Sequence, residues 1–251
     1  MNIVLITALG VGCATISGSL AGFIFKDISH KFCDFILSFA SGVMLAASII
    51  GLILPAIDGG SPVALILSLL GIFTGALTIS AIDRIVPHFH RIIVKDAKGK
   101  CVDKVLLFVI AIAIHNIPEG LAAGVGFGTE NPAEALLIAG GIALQNFPEG
   151  MVLITPMLSA GISARKTFLI AFFTGVVEIV FTVIGYVTVS ISNGILPFIL
   201  SFAGGTMIFV ISDEMIPETH ADGNEKGATF AMMVGFCLIL FINYILTYIS
   251  V

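Results

Sequence analysis

Two short polar figures stand out in a chain otherwise dominated by apolar side chains. Residues 111–124 read AIAIHNIPEGLAAG, and residues 141–153 read GIALQNFPEGMVL. The second repeats the first thirty residues on, with Gln145 in place of His115, Asn146 in place of Asn116 and Glu149 in place of Glu119. His115 and Glu119 are four apart, which on a helix puts them on one face about one turn from each other. Gln145 and Glu149 repeat that spacing. A third acid, Glu178, lies inside the next apolar run. An ionised side chain at the centre of a bilayer costs roughly 2.5–3.5 kcal/mol on insertion scales, so three unpaired acids would cost on the order of 8–10 kcal/mol. No lysine or arginine occurs at that depth to pair with them. A bound cation is the economical explanation.

The prolines point the same way. Pro118 and Pro148 lack the N–H that would bond the carbonyls of Ile114 and Leu144, and a freed carbonyl is tolerated in a membrane where it lines a polar cavity. Each PEG triplet therefore reads as a helix-breaking insert that delivers acceptors to a site, with Gly120 and Gly150 permitting close helix approach. One imidazole, two or three carboxylates and neighbouring amides suit a borderline divalent ion such as Zn²⁺, Fe²⁺, Mn²⁺ or Cd²⁺. Na⁺ or Ca²⁺ would favour an all-oxygen set. Two other readings fit the same residues: a hydrogen-bonded polar cluster, and a proton relay through His115 and the glutamates.

These residues need long apolar elements to hold them. Only 11% of the 251 residues are charged, under half the share in soluble domains, and the mean hydropathy is +1.14. Crossing the hydrocarbon core as a helix takes about 20 apolar residues. Runs of that kind fall at 2–25, 34–54, 62–86, 104–127, 133–157, 167–190, 195–216 and 228–250. The expected fold is an all-α, eight-span membrane protein forming a single transporter domain over 1–251. Continuous runs exclude a transmembrane barrel, whose strands alternate. All eleven Lys and Arg lie in or beside alternate connections: Lys26 and Lys31; Arg84, Arg91, Lys95, Lys98, Lys100 and Lys104; Arg165 and Lys166; Lys226. The positive-inside rule puts those connections in the cytoplasm and both termini outside. The N-terminus lacks the basic n-region and short h-region of a cleaved signal.

A longer repeat underlies the shorter one. SFASGVM at 38–44 is echoed by SFAGGTM at 201–207, and Pro55 by Pro217. The charge pattern makes the second and seventh spans antiparallel, so spans 1–3 and 6–8 read as inverted repeats flanking spans 4 and 5, a transporter arrangement with sites near the midplane. Small-residue helix packing alone would also give such segments. The four cysteines (13, 33, 101, 237) show no CxxC spacing and imply no disulfide framework. No GxxxxGK[ST] occurs, which argues against ATP drive from this chain. The connection VPHFHRIIVKDAKGKCVDK reads as an orientation signal. Asp213 and Glu214, followed by Glu218, His220 and Asp222, read either as a solvated acidic helix end or as an exit path on the inner side. Met44 taken alone is apolar filler.

The pair HNIPEG and QNFPEG on adjacent spans, GVVEIV on the next and SDEMIPETH on the seventh resemble the ZIP divalent-metal transporters, particularly their GufA-like branch. The resemblance covers essentially the whole chain. It implies a metal site of His115, Asn116, Glu119, Gln145, Asn146 and Glu149, with Glu178 and, as a soft ligand, Met44. It also implies that the PEG-bearing spans move, that the chain forms a homodimer, and that it resides in the cell membrane. Two features depart from the pattern. Some relatives carry an acid where Asn146 stands and can hold two adjacent ions, so a second ion near Asn146 and Glu178 is expected to bind more weakly here. The histidine-rich cytoplasmic loop of many relatives is reduced to His88 and His90. The expected function is alternating-access transport of a divalent transition metal, zinc first and cadmium, iron or manganese after it, into the cytoplasm. No prosthetic group or nucleic acid is expected; the partners are the ion and the bilayer. The rivals are a channel built on the same site and an intramembrane metalloenzyme, which would need an HExxH or several histidines that this chain lacks.

Overall fold

In hydrocarbon a backbone must satisfy its own N–H and C=O groups within the segment, and the apolar runs do so as helices. The computed structural model describes residues 2–25, 29–58, 60–93, 114–129, 132–159, 161–191, 193–221 and 223–248, and no strand occurs among them. We number the helices α1 (Asn2–Ile24), α2 (His30–Ala46), α3 (Pro62–Ile93), α4 (114–125), α5 (Pro132–Ser159), α6 (Ala164–Ile191), α7 (Leu196–Val210) and α8 (Glu225–Tyr248). Seven helices among the described residues are long and apolar enough to cross a membrane. Of the expected fourth span, residues 104–113 lie outside the described residues, as do Lys26, Lys95, Lys98, Lys100, Cys101 and Asp222. The third helix runs on past its expected end at 86 to Ile93, taking the HFH segment into its last turns.

The prolines act differently from expectation. α5 runs unbroken through Pro148, and residues 114–125 are helical through Pro118. A lost backbone hydrogen bond is absorbed there without ending the helix. The clearer disturbances precede Pro55 and Pro217. α2 continues as a π-helical stretch, Ala47–Ile53, before a last turn Leu54–Ile57. α7 likewise continues through Ile211–Met215 into Ile216–Thr219. The N–H of Leu54 bonds Ile49 O, and that of Ile216 bonds Ile211 O, each five residues back. Widening the turn relieves the clash between a proline ring and the carbonyl four residues earlier.

The helices form two groups: α1, α4, α5 and α6, and α2, α3, α7 and α8, which meet mainly where α2 and its π-helical extension cross α5. Close backbone approach binds each group. A Cβ added at Gly150 would lie 2.2 Å from the carbonyl oxygen of Thr15, and one at Gly120 would lie 2.6 Å from that of Glu178. Thr15 and Glu178 stand 163 residues apart. The same interval separates Gly12 and Gly175, which face each other across α1 and α6 with added-Cβ to carbonyl distances of 2.4 and 2.7 Å. It also separates Gly42, packed on Met232 of α8, from Gly205, packed on Ile72 of α3. The seam between groups runs through side chains instead: a Cβ on Gly141 would sit 3.6 Å from Ala47 and 3.8 Å from Val43. Of the spanning stretch, 67% is buried in α5 but 22% in α3 and 11% in α8. α5 is thus the interior helix, while Phe73, Leu77, Phe230 and Phe241 present the outer helices to lipid.

Candidate metal centre

Helical spacing sets the polar residues of α4 and α5 against each other, and α6 adds Glu178 from behind. Asn116, Glu119, Gln145, Asn146 and Glu178 are all at most 2% exposed. The Gln145 amide donates to Glu119 Oε1 at 2.9 Å. The Asn146 amide donates to Glu178 Oε2 at 2.7 Å, and Asn116 Nδ2 donates to Glu178 Oε1 and to the Thr174 carbonyl, the latter at 3.3 Å. Glu178 also accepts from the Thr15 hydroxyl, 2.7 Å from Oε1 and 2.9 Å from Oε2. Thr15 was not foreseen as part of the site. Its interval of 163 residues from Glu178, shared by the glycine pairs, is the signal that marks it.

What these contacts leave over is a set of bare oxygens. Glu119 Oε2, Gln145 Oε1, Asn146 Oδ1, Glu149 Oε1 and Glu214 Oε1 are buried and have no hydrogen-bond partner among the described residues. A buried polar atom without a partner costs about 1–3 kcal/mol, and more when charged, and native proteins keep few of them. Five such acceptors on α4, α5 and the stretch after α7 call for a cation or a set of donors.

A cavity of about 410 Å³ adjoins them, lined by His115, Glu119 and Glu149 together with Leu37, Val152, Asp213, Glu214, Met215, Pro217 and Glu218. Among the described residues, no lysine or arginine lines it. The cavity therefore joins three of the expected ligands to three acids of the expected exit path. His115 Nε2 lies 2.6 Å from Glu214 Oε2, linking α4 to the π-helical stretch after α7. Among the described residues, no three His, Cys, Asp or Glu side chains close on a single metal-binding point. The acids ring the cavity, with His115 turned towards Glu214 and Glu178 turned towards the amides.

Two expected residues sit apart. Met44 is fully buried in an apolar cluster with Ala40, Ala122, Leu200, Ala203 and Met207, and it is not part of the cavity wall. His220 has both ring nitrogens engaged, Nδ1 at 2.8 Å from the Ile216 carbonyl and Nε2 at 3.1 Å from Thr229 Oγ1. It ties the end of the α7 rod to α8 and does not face the cavity.

This geometry sets oxygen acceptors and one imidazole on a common cavity, an arrangement suited to a cation, and comparisons of the sequence point the same way. Residues 94–243 match the family model for the ZIP zinc transporters. The chain is 35% identical to the zinc transporter GufA of Myxococcus xanthus over 95% of its own length and 97% of the relative's. It is 37% identical to the zinc transporter ZIPB of Bordetella bronchiseptica, covering 92% of this chain and 77% of that one. It is 32% identical to the zinc transporter ZupT of Chlorobaculum parvum over 94% of each. The chain belongs to the ZIP zinc transporter family, a family of transporters rather than enzymes, and stands with its GufA-like members.

Proposed function

We propose that this chain carries a divalent transition-metal ion, zinc first, across the cell membrane into the cytoplasm by alternating access. The observation that carries the reading is the set of buried oxygens without partners among the described residues: those of Glu119, Glu149 and Glu214 on one cavity, and those of Gln145 and Asn146 beside them on α5. Family membership supplies the substrate class, since the relatives are named zinc transporters. The ion is held by His115, Glu119, Gln145 and Glu149, with Asn146 contributing its free oxygen. Asn116 and Glu178 stand behind them.

The chain spans the membrane eight times with both termini outside. Spans 1–3 and 6–8 are inverted repeats. The 163-residue interval that relates Gly12 to Gly175, Thr15 to Glu178 and Gly42 to Gly205 supports this, as do the π-helical stretches that precede Pro55 and Pro217. On that topology the cavity, bounded by Leu37 near the start of α2 and Glu218 at the end of the α7 rod, faces the cytoplasm. The ion leaves past Asp213, Glu214 and Glu218. The buried apolar cluster of Met44, Ala122, Val125, Leu200 and Met207 closes the outer side, which favours a carrier over an open channel. Backbone-close packing within each helix group and side-chain packing between them fit motion of the α1, α4, α5, α6 group against its neighbour.

Zinc uptake into proteoliposomes loaded with a fluorescent indicator tests the reading. Saturable uptake that falls at least tenfold in Glu119→Ala and Glu149→Ala supports it. Full-rate uptake by correctly inserted variants means that the ligands lie elsewhere.

A further inference from the structure

The resemblance assigns Glu178 a ligand's role, yet its carboxylate is the most fully hydrogen-bonded acid in the centre. Oε1 accepts from Thr15 and Asn116, and Oε2 accepts from Thr15 and Asn146. The donors come from α1, α4 and α5, so one side chain of α6 gathers all four helices of its group. An ionised carboxylate offers about four lone-pair positions, whereas a threonine has a single O–H to share between both oxygens, so three donor protons engage Glu178. An ion at Glu178 would share its carboxylate with these three donors.

The same contacts decide where the amide oxygens point. An asparagine whose nitrogen is held by a carboxylate must turn its oxygen the other way. Asn146 does so, and its Oδ1 is buried with no partner. Gln145 follows the same rule on Glu119 and leaves Oε1 bare. Thr15 is itself fixed. Its carbonyl accepts from Ser19 Oγ at 2.9 Å and packs against Gly150, which places the Thr15 hydroxyl beside Glu178 while the backbone touches the second PEG segment.

Resting on the reading that a divalent cation binds among the α4 and α5 ligands, we propose that Glu178 is a positioning residue in this chain. Locked by Thr15 and Asn116, it holds the Asn146 amide so that acceptor oxygen, rather than N–H, faces the ion. Thr15 is a second positioning residue, acting through Glu178. Metal ligands lose about 10–100-fold in affinity when the partners that orient them are removed.

The two roles for Glu178 give opposite signs in one experiment. Zinc binding to the purified full chain in detergent is measured by titration calorimetry for the native protein, Thr15→Val and Thr15→Ser. Thermal melts without metal report whether each variant is folded. Valine keeps the branched shape without the hydroxyl, and serine keeps the hydroxyl. With Glu178 as the anchor, Thr15→Val binds zinc at least tenfold more weakly and Thr15→Ser stays within about threefold of native. With Glu178 as a direct ligand, removing a competing donor frees a lone pair, and Thr15→Val binds as tightly as native or tighter, which overturns the proposal. Equal losses in the valine and serine variants also overturn it, because the hydroxyl is then not what matters. Should Thr15→Val fail to assemble, Thr15→Ala removes the same hydroxyl with less bulk and is judged by the same outcomes. A native protein that binds no zinc, manganese or cadmium defeats the underlying transport reading instead, and that result is distinct from the others.

Discussion

Replacing Gly150 with alanine tests the packing that sets the centre. A Cβ there would lie 2.2 Å from the Thr15 carbonyl oxygen, on rigid backbone. Ordinary contacts of this kind begin at 3.4 Å, so α1 and α5 must part by about 1.2 Å, an overpacking strain worth about 1–3 kcal/mol. For a chain of this size that lowers the melting temperature by roughly 2–12 °C. The separation also carries the Thr15 hydroxyl, now 2.7 Å from Glu178 Oε1, towards or beyond hydrogen-bonding range. Zinc transport should therefore fall more than tenfold even where the variant is folded. Gly140, on the same helix, has nothing within 4 Å of an added Cβ, and Gly140→Ala should melt at or slightly above the native temperature because alanine is the better helix former. The assay is a detergent thermal melt of both variants followed by proteoliposome uptake. If Gly150→Ala melts and transports like Gly140→Ala, the close approach of α1 to α5 is not what holds the site.

Other expectations follow from the same geometry. With a dication as cargo, an inside-negative potential of 100 mV favours uptake by about 4.6 kcal/mol, a roughly two-thousandfold change in the equilibrium accumulation ratio; accumulation in valinomycin-clamped vesicles that ignores the potential would mean that charge is exchanged. Neutralising Asp213, Glu214 and Glu218 together should slow zinc loading from the cytoplasmic side by about tenfold at low ionic strength, with the difference shrinking in high salt; a salt-independent effect would assign these acids to binding rather than attraction. In a chain freed of its own cysteines, Ser163→Cys should react with an impermeant thiol reagent only from the cytoplasmic side and Ser61→Cys only from outside, and the reverse pattern would invert the direction of transport.

The polar residues that α4 and α5 bring together were legible because a polar pair at helical spacing has few uses at midmembrane depth, and its duplication made the pattern specific. The helices were legible because their apolar runs are long. Their ends were not, since helices continue past the hydrocarbon, as α3 does to Ile93. The contacts that organise the centre join residues far apart in sequence, His115 with Glu214 and Thr15 with Glu178. No local pattern marks them, and a threonine inside a membrane helix is most often bonded to its own backbone, as Thr74 is to Leu70. Met44 and His220 show the converse. Their types suit a metal, but burial in an apolar cluster and a bond to Thr229 occupy them.

X-ray absorption at the zinc edge of the loaded protein tests the ring of free oxygens most directly. A shell of oxygen and nitrogen at about 2.0–2.2 Å with one imidazole is expected, and the imidazole signature should vanish in His115→Ala. A sulfur-dominated shell near 2.3 Å, or a spectrum unchanged in His115→Ala, would place the ion away from α4 and α5 and contradict the assignment.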